Sequence, residues 1–262
     1  MIIQGKRAIA YFDIMGFKAK LNNLPLSRLS TEYERLIEQT DGEFFISEGT
    51  VLSRQVCYRY IFSDSIFLIA KEDTEESAID LLSYSWRMMQ IFIAGGYPLR
   101  GAATYGDIYA NFEINVFLGK PIAQAVILEG SQDWIGAIVD NSVFEHYKGI
   151  LKGESIQCEI MNTLFPEYPV YFKNGTRPVY HVINWRQNMI SENGIKPLFK
   201  NEPYCEDVQR KIDNTLCFSK SIVDSKTAYF NSELVPERYR NFYIAKSAPP
   251  QNGHMFTNGD EY

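Results

Sequence analysis

Cysteine, histidine and long apolar runs are all scarce in this chain of 262 residues, and each shortage argues against a class of protein. The four cysteines form no C-x-x-C pair, so the sequence predicts neither a zinc ribbon nor a disulfide framework. A reduced cytoplasmic setting is the simplest expectation. The three histidines, His146, His181 and His254, are scattered along the chain. The sequence contains no H-E-x-x-H, G-x-S-x-G or G-x-x-x-x-G-K-[ST] motif, which argues against the enzyme classes that depend on them.

Basic charge is also in short supply, with 26 Lys and Arg against 32 Asp and Glu, a formal net charge of -6. Because proteins that bind nucleic acid present a clustered basic face, we expect no nucleic-acid partner. The most apolar long segment, residues 78–99, contains Asp80 and Arg87, so it predicts a buried helix and not a membrane span. The first ten residues lack the features of a signal peptide, and we expect no membrane attachment.

The spacing of apolar residues predicts single strands and hairpins that alternate with helices. This pattern is typical of an α+β protein with a mostly antiparallel sheet. The sequence also predicts a hairpin around Asn174-Gly175, a long amphipathic helix over residues 205–230 and a poorly ordered tail from residue 247. The other predicted strands cover residues 7–12, 54–70 (a hairpin), 97–112 and 136–140, and the other predicted helices cover residues 26–39, 74–93 and 119–129, with a short one from Asn141.

Two acidic residues interrupt apolar strand sequences. Asp13 follows "AYF" and precedes Gly16, and Asp64 lies at the tip of the hairpin in "FSDSIF". A glycine turn at a strand end presents backbone N–H groups that can bind phosphate, and a carboxylate beside it suits Mg²⁺, which prefers hard oxygen ligands. The alternative is structural, because Asp often bonds the backbone of a turn or the start of a helix. For Asp13 or Asp64 considered alone, the structural interpretation is favoured. The presence of both acids favours a metal site.

Further motifs follow the two acids in a fixed order. The chain continues with "LRGAATYG", "FLGKPIAQAVILE" and "GAIVD". The residues that carry the pattern are Phe12, Asp13, Ile14, Gly16, Phe17, Asp64, Leu99, Arg100, Gly106, Gly119, Ala125 and Glu129. Over residues 7–150 this order resembles the class III nucleotidyl cyclases, the adenylate and guanylate cyclase catalytic domain. In detail it is most similar to the bacterial Pycsar antiphage cyclases, which make cyclic UMP or cyclic CMP.

The resemblance implies a ferredoxin-like βαββαβ cyclase core within a catalytic domain over residues 1–188, followed by a C-terminal helical extension and flexible tail over residues 189–262. It implies an active site at the interface of a head-to-tail homodimer. Two Mg²⁺ or Mn²⁺ ions per site would be held by Asp13, Asp64 and the backbone carbonyl of Ile14. Arg100 would contact the β- or γ-phosphate. The substrate-binding residues would be Ile14, Met15, Gly16, Phe17 and Tyr60.

The residues at the base-reading positions differ from those of purine cyclases. Tyr60 stands where the resemblance places a base-reading lysine, and Pro98 stands where it places an acid. A tyrosine suits a small pyrimidine, so the implied activity is conversion of UTP or CTP to the 3′,5′-cyclic monophosphate and pyrophosphate in antiphage signalling. The alternative for Tyr60 is packing on the sheet, since the chain has 17 tyrosines.

Two further positions depart from the family pattern. Ala123 and Ile127 stand where purine cyclases carry an Asn and an Arg that orient the ribose and stabilise the transition state. This departure leaves open a degenerate cyclase-homology module that binds a nucleotide or a protein without turnover, and less favourably a purine cyclase. Lys148 and Lys152 are loosely aligned with a late phosphate-binding lysine of the family.

Overall fold

The computed structural model describes residues 1–41, 46–47, 50–51, 56–186 and 205–222. The strands within these ranges are β1 (Ile2–Ile14), β2 (Ile46–Ser47), β3 (Thr50–Val51), β4 (Cys57–Phe62), β5 (Ser65–Ala70), β6 (Leu99–Asn111), β7 (Val116–Gly119), β8 (Ala137–Val139), β9 (Glu167–Pro169) and β10 (Val179–Val182). The helices are α1 (Phe17–Asn23), α2 (Leu26–Asp41), α3 (Glu75–Ala94), α4 (Lys120–Ser131), α5 (Asn141–His146), α6 (Ile156–Leu164) and α7 (Glu206–Ser221).

One sheet of eight strands organises the described residues. Its order is β4-β5-β1-β6-β8-β10-β9, with β7 paired to β6. β1 pairs antiparallel with both β5 and β6, and the pairing of β6 with β8 is parallel. The order β4-β5-β1-β6, with α1 and α2 before β4 and with α3 between β5 and β6, is the split βαβ arrangement of a ferredoxin-like core. The predicted α+β class and mostly antiparallel sheet are confirmed.

The central strand β1 is longer than predicted, because it begins at Ile2 and not at Arg7. Its first half carries exposed Gln4 and Lys6, which hide it from a search for apolar runs. These residues nevertheless pair with Tyr109 and Asp107 of β6. Backbone pairing to a long neighbouring strand thus extends β1 where side-chain burial does not.

Helix α3 is the buried helix that the sequence predicted. Thr74 caps its N-terminus by accepting a hydrogen bond from the N–H of Ser77, O···N 3.2 Å. Arg87 is 2% exposed, and its Nη2 donates to the carbonyl of Gln39 at 2.8 Å. That contact explains how a charged residue fits an otherwise apolar helix. No helix within the described ranges has the length and apolar character needed to cross a bilayer.

Five of the described elements were not predicted, namely α1, β2, β3, β7 and α6. Helix α1 has seven residues and β7 has four, which is too short for a clear periodic signal. Helix α6 begins after Ser155, whose hydroxyl accepts a hydrogen bond from the N–H of Cys158 at 3.2 Å. The cap residue was visible in the sequence, but the apolar spacing behind it was weak.

The C-terminal part of the described chain joins the core. The predicted hairpin is confirmed as β9 and β10, and Gly175 in its loop has φ of 82°. In α7, Phe218 is fully buried, and its ring contacts Trp134 at 4.6 Å and Trp185 at 5.7 Å between centroids. The part of the predicted helix beyond Ile222 and the predicted tail lie outside the described residues.

Candidate active site

Asp13 lies near the end of the central strand β1. It pairs with Ser65 of β5 on one side and with Arg100 of β6 on the other. Because directly opposed residues of antiparallel strands point to the same face of a sheet, these three side chains share one face. Phe12 and Ile14 alternate with Asp13 and are buried on the opposite face. Strand β1 is therefore anchored by its apolar neighbours, which leaves Asp13 on the other side.

Asp64 lies in the two-residue turn between β4 and β5, as predicted for the hairpin. Ser63, the other turn residue, has φ of 57°, a conformation typical of tight hairpin turns. The carbonyl of Asp64 accepts a hydrogen bond from the N–H of Ile14, with an O···N distance of 3.0 Å. This bond fastens the hairpin tip to the end of β1. Asp64 and Asp13 are thereby brought to the same end of the sheet.

The electrostatic environment of Asp13 reflects this convergence. Burial, followed by the negative charges of Glu129 and Asp64, raises the pKa of Asp13 from 3.8 to about 6. Arg100 and Lys173 act in the opposite direction but do not cancel the effect. Two acids and two cations therefore surround the half-buried carboxyl group of Asp13. A bound divalent cation would relieve the repulsion among the acids.

The raised pKa of Asp13 leads to a prediction about stability. The folded state holds the Asp13 proton up to about pH 6, whereas the unfolded chain releases it near pH 4. The stability from this protonation is therefore present below about pH 4 and is lost as pH rises to about 6. Asp13→Asn removes the negative charge of residue 13, which burial, Glu129 and Asp64 disfavour despite Arg100 and Lys173. Relative to wild type, this variant should gain stability between pH 4 and 6 and keep a constant advantage above pH 6.

Urea unfolding of both proteins at a series of pH values, in the presence of EDTA, measures this difference. Asp107→Asn, at an exposed position of β6, is the matched control. A stability difference between Asp13→Asn and wild type that does not change with pH would contradict the prediction.

Arg100 forms a buried ion pair with Glu129 of α4. Its Nε and Nη2 each lie 2.6 Å from Oε1 of Glu129, and its Nη1 donates to the carbonyl of Gln132 at 3.2 Å. The two side chains are 11% and 8% exposed. Arg100 is therefore paired with an acid inside the fold and not at the surface. Contact of Arg100 with a phosphate stays a prediction, and it requires the guanidinium to share or leave Glu129.

Lys173, in the loop between β9 and β10, is a cation that the sequence analysis did not select. Its Nζ donates to the carbonyl of Gly130 at the end of α4, and burial lowers its pKa. The sequence signal was the Asn174-Gly175 turn, which identified the loop but not its position beside the site. By contrast, Lys148 and Lys152 line a cavity elsewhere in the fold.

Tyr11 was also missed by the sequence analysis. It lies two residues before Asp13 on the same strand and therefore on the same face. Its hydroxyl and that of Ser65 are hydrogen-bonded at 3.0 Å, and burial raises its pKa. The hydrogen bond between Tyr11 and Ser65 therefore joins β1 to β5 on the same face of the sheet as Asp13.

The turn after Asp13 runs through Gly16 into α1. Gly16 has φ of 75°, a conformation that residues with a Cβ rarely adopt, and this explains a glycine three residues after Asp13. Beyond the turn, Phe17 begins α1 and is buried. The first N–H groups of a helix have no partner within it, so the amides of Gly16, Phe17 and Lys18 remain suited to phosphate, whereas those of Ala19 and Lys20 donate to the carbonyl of Gly16.

The two residues before Gly16 use their amides differently. The N–H of Ile14 donates to the carbonyl of Asp64, and the N–H of Met15 donates to the carbonyl of Pro98 at 2.8 Å. These amides hold the turn in place and are already paired. A role for Ile14 or Met15 in binding substrate would therefore fall to other atoms, such as the carbonyl of Ile14.

Tyr60 faces the same side of the sheet as Asp13. It pairs with Phe67, which pairs with Tyr11, two residues from Asp13 along β1. The Tyr60 ring lies 4.8 Å from that of Phe117 in β7, between centroids. This contact agrees with the packing alternative that the sequence left open. Contact of Tyr60 with a base stays a prediction.

The outer face of α4 is apolar and open to solvent. Ala123 and Ile127, which replace the expected Asn and Arg, are both exposed, and Ile127 is 61% exposed. Val126 beside them is 43% exposed, and Phe62 at the hairpin tip is 71% exposed. Neither Ala123 nor Ile127 supplies a hydrogen-bond donor from its side chain.

The oxygen atoms of Asp13, Asp64 and the Ile14 carbonyl are the candidate ligands for a metal ion. Within the described ranges, no three His, Cys, Asp or Glu side chains cluster so that they would hold an ion by themselves. Two carboxylates and a backbone carbonyl are nevertheless the usual protein share of a magnesium site, which takes its other ligands from water and substrate phosphates. Asp13, Asp64 and the carbonyl of Ile14 fit that donor set.

Comparisons with known proteins gave structural likeness without sequence relatives. No protein-family model matches the chain, and no curated protein matches it. The adenylyl cyclase CyaB from P. aeruginosa is similar in structure, with 11% identity and a TM-score of 0.48 over 70% of this chain and 96% of that chain.

Two other structures that are similar to this chain are also named as cyclases. One is the guanylate cyclase domain of RhGC from Catenaria anguillulae in complex with GTP, with 11% identity and a TM-score of 0.49 over 70% of this chain and 98% of that chain. The other is an adenylate/guanylate cyclase/hydrolase from Silicibacter pomeroyi, with 16% identity and a TM-score of 0.39 over 70% of this chain and 97% of that chain. At these sequence identities and TM-scores, the structural likeness supports no conclusion about activity.

Proposed function

We propose that this protein is a metal-dependent nucleotidyl cyclase that converts UTP or CTP to the 3′,5′-cyclic monophosphate and pyrophosphate. The observation that carries the proposal is the convergence of Asp13 and Asp64 at one end of the sheet, beside a glycine turn. The raised pKa of Asp13 supports it, because the folded chain keeps an acid where charge is unfavourable. An Asp with a purely structural role would not require burial beside two other acids.

The groups around the two acids divide the work of binding a triphosphate. Asp13, Asp64 and the carbonyl of Ile14 would hold Mg²⁺ or Mn²⁺, two ions per site. The bound ions supply charge neutralisation and activation of the ribose 3′-hydroxyl. The amides of Gly16, Phe17 and Lys18 would contact phosphate oxygens. Arg100 and Lys173 bring positive charge to the same region.

The reaction needs positioning more than it needs covalent chemistry by the protein. The ribose 3′-oxygen bonds to the α-phosphorus, the bond to the β-phosphate oxygen breaks, and pyrophosphate leaves with the electron pair. The 3′-hydroxyl proton passes to solvent. The rigid end of β1, tied to the hairpin and to the residue before β6, holds the binding groups in fixed relation.

A homodimer is part of the proposal. Phe62 at the hairpin tip and Val126 and Ile127 on α4 are apolar side chains exposed to solvent, which disfavours them. A second copy of this chain placed over the sheet would cover them and would close the site from the open side. The site would then take its base-binding groups from the partner subunit.

Pyrimidine preference is assigned to Tyr60, and it can be tested without disturbing the aromatic packing. Tyr60→Phe keeps the ring contact with Phe117 and removes the hydroxyl. If that hydroxyl contacts the base, the variant should lose about tenfold in kcat/KM for the preferred triphosphate, as expected for one hydrogen bond. Steady-state assays with all four triphosphates measure the change. Unchanged preference would assign Tyr60 to packing alone.

One observation favours a second candidate function, a binding module without turnover. Ala123 and Ile127 offer no donor for the ribose or the transition state, and both lie exposed on α4. A cyclase of this kind must supply that stabilisation from other groups. The proposed role in antiphage signalling rests on the sequence resemblance.

Incubation of the purified protein with Mn²⁺ and each of the four triphosphates separately, with products identified by mass, tests the proposal. Cyclic UMP or cyclic CMP with pyrophosphate is the expected result. Cyclic AMP or cyclic GMP as the main product would overturn the pyrimidine assignment. Absence of any cyclic product would favour the binding module.

A further inference from the structure

A cavity of about 650 Å³ opens between α5, α6 and the hairpin of β9 and β10. This volume is within the usual range for small-molecule sites and is large enough for a mononucleotide. The cavity is lined by both apolar and charged side chains. Nothing in the proposed catalytic function uses it.

The cavity lies away from Asp13. Val139, at the end of β8, pairs with Ala103 of β6 and with His181 of β10, whereas Asp13 pairs with Arg100. Three residues along a strand correspond to about 10 Å, and the three strand spacings from β1 to β10 correspond to about 14 Å. The cavity is therefore a separate site and not an extension of the catalytic one.

The floor of the cavity is aromatic and apolar. Phe144 is 9% exposed and lines the space with the partly exposed Leu151 and Pro166, whereas Phe165 at the same lining is fully buried. Such a floor suits a flat ring, which gains from contact with apolar and aromatic surfaces. It would contribute nothing to the binding of a free inorganic anion.

His181 is held in one orientation at the cavity wall. Its Nδ1 lies 2.8 Å from the carbonyl oxygen of Phe165, and a carbonyl accepts, so Nδ1 carries a proton. The ring also meets Phe144 edge-on, with centroids 4.7 Å apart. Nε2 is 3.9 Å from a carboxylate oxygen of Glu167, beyond a direct hydrogen bond. Nε2 has no direct hydrogen-bond partner among the described residues and faces the cavity side chains, where it can bond a ligand.

Two lysines supply positive charge at the rim. Lys148 and Lys152 both line the cavity and are exposed. Neither forms an ion pair or a side-chain hydrogen bond with any residue of the described ranges. Two ammonium groups that line the same cavity and lack carboxylate partners are suited to a phosphate group. Glu145 and Glu167 also line the cavity and suit N–H donors on the same ligand.

We propose that this cavity binds a mononucleotide, with the phosphate at Lys148 and Lys152 and the base against Phe144, Leu151 and Pro166. The three parts of such a ligand match the three kinds of lining group. The phosphate meets the lysines, the flat ring meets the apolar floor, and the polar edge of the base meets His181, Glu145 and Glu167. The inference is independent of the proposed cyclase activity.

The chain's three histidines make a direct test possible. Protein labelled with ¹³C at histidine Cε1 gives three signals, which single His→Gln variants assign. Titration with 5′-UMP and 5′-AMP in EDTA, which suppresses metal-dependent binding at Asp13, should shift the His181 signal. The His146 signal, which reports on the contact with Tyr105 and Asp73, should stay in place.

Charge reversal at the rim supplies the matched comparison. The double variant Lys148→Glu/Lys152→Glu should weaken the nucleotide-dependent shift of His181 by about tenfold or more in affinity, and Lys120→Glu, at an exposed position of α4, should leave it unchanged. No shift of His181, a shift insensitive to the double variant, or an equal shift with inorganic phosphate alone would each overturn the proposal. Failure of the cyclase assay would leave this result unaffected.

Discussion

Replacement of Asp13 or Asp64 by Asn should lower the rate of cyclic nucleotide formation by about a thousandfold or more. Metal-based charge stabilisation contributes several kcal/mol to such reactions, and each 1.36 kcal/mol changes the rate tenfold. Asn keeps the size of the side chain but removes the charge that binds the ion. Both positions lie at the end of the sheet and are not fully buried, so the fold should persist.

The measurement is the initial rate with Mn²⁺ and the preferred triphosphate, with circular dichroism as the check on folding. Asp107→Asn, within β6, and Asp140→Asn, directly after β8, change acids elsewhere in the fold and should retain wild-type rates. Asp140 caps α5 through the N–H of Ser142, so its variant also controls for the loss of a structural Asp. Near-normal rates for Asp13→Asn or Asp64→Asn would refute the metal assignment.

Glu129→Ala should lower the free energy of unfolding by about 3–5 kcal/mol, which is the usual cost of leaving one member of a buried ion pair without its partner. Arg100 is 11% exposed, and two of its nitrogens depend on Oε1 of Glu129. The carbonyl of Gln132 would be its remaining partner among the described contacts. Urea unfolding at pH 7 provides the measurement.

Two further variants separate charge from packing at this pair. Glu129→Gln keeps the shape and one acceptor and should cost less than Glu129→Ala. The double variant Arg100→Met/Glu129→Leu removes both charges and should be more stable than Glu129→Ala. A double variant at least as unstable as Glu129→Ala would show that the cost comes from lost packing and not from an unpaired charge.

The sequence predicted the elements of the core well where burial follows a simple period. Helix α3 was recognisable because apolar residues fill most of its length, and the hairpin of β4 and β5 because a polar turn separates two apolar strands. The first half of β1 was missed because Gln4 and Lys6 are exposed while their backbone pairs. Pairing with a distant strand leaves no local mark in the sequence.

In the candidate site, too, some features could be predicted from the sequence and others could not. The acids Asp13 and Asp64 and the turn at Gly16 were visible, because a charge or a glycine inside an apolar strand is unusual. The pairing of Arg100 with Glu129 and the position of Lys173 were not visible. These contacts join residues 29 or more positions apart, and the α4 packing that creates them depends on the whole sheet.

Manganese binding, followed by electron paramagnetic resonance, tests the central claim most directly. Free Mn²⁺ is titrated with wild-type protein, Asp13→Asn and Asp64→Asn in the presence of a non-hydrolysable analogue of the preferred triphosphate. Wild type should bind two ions per site, and each variant should bind fewer and more weakly. Equal Mn²⁺ binding by all three proteins, or none by wild type, would contradict a metal site formed by these two acids.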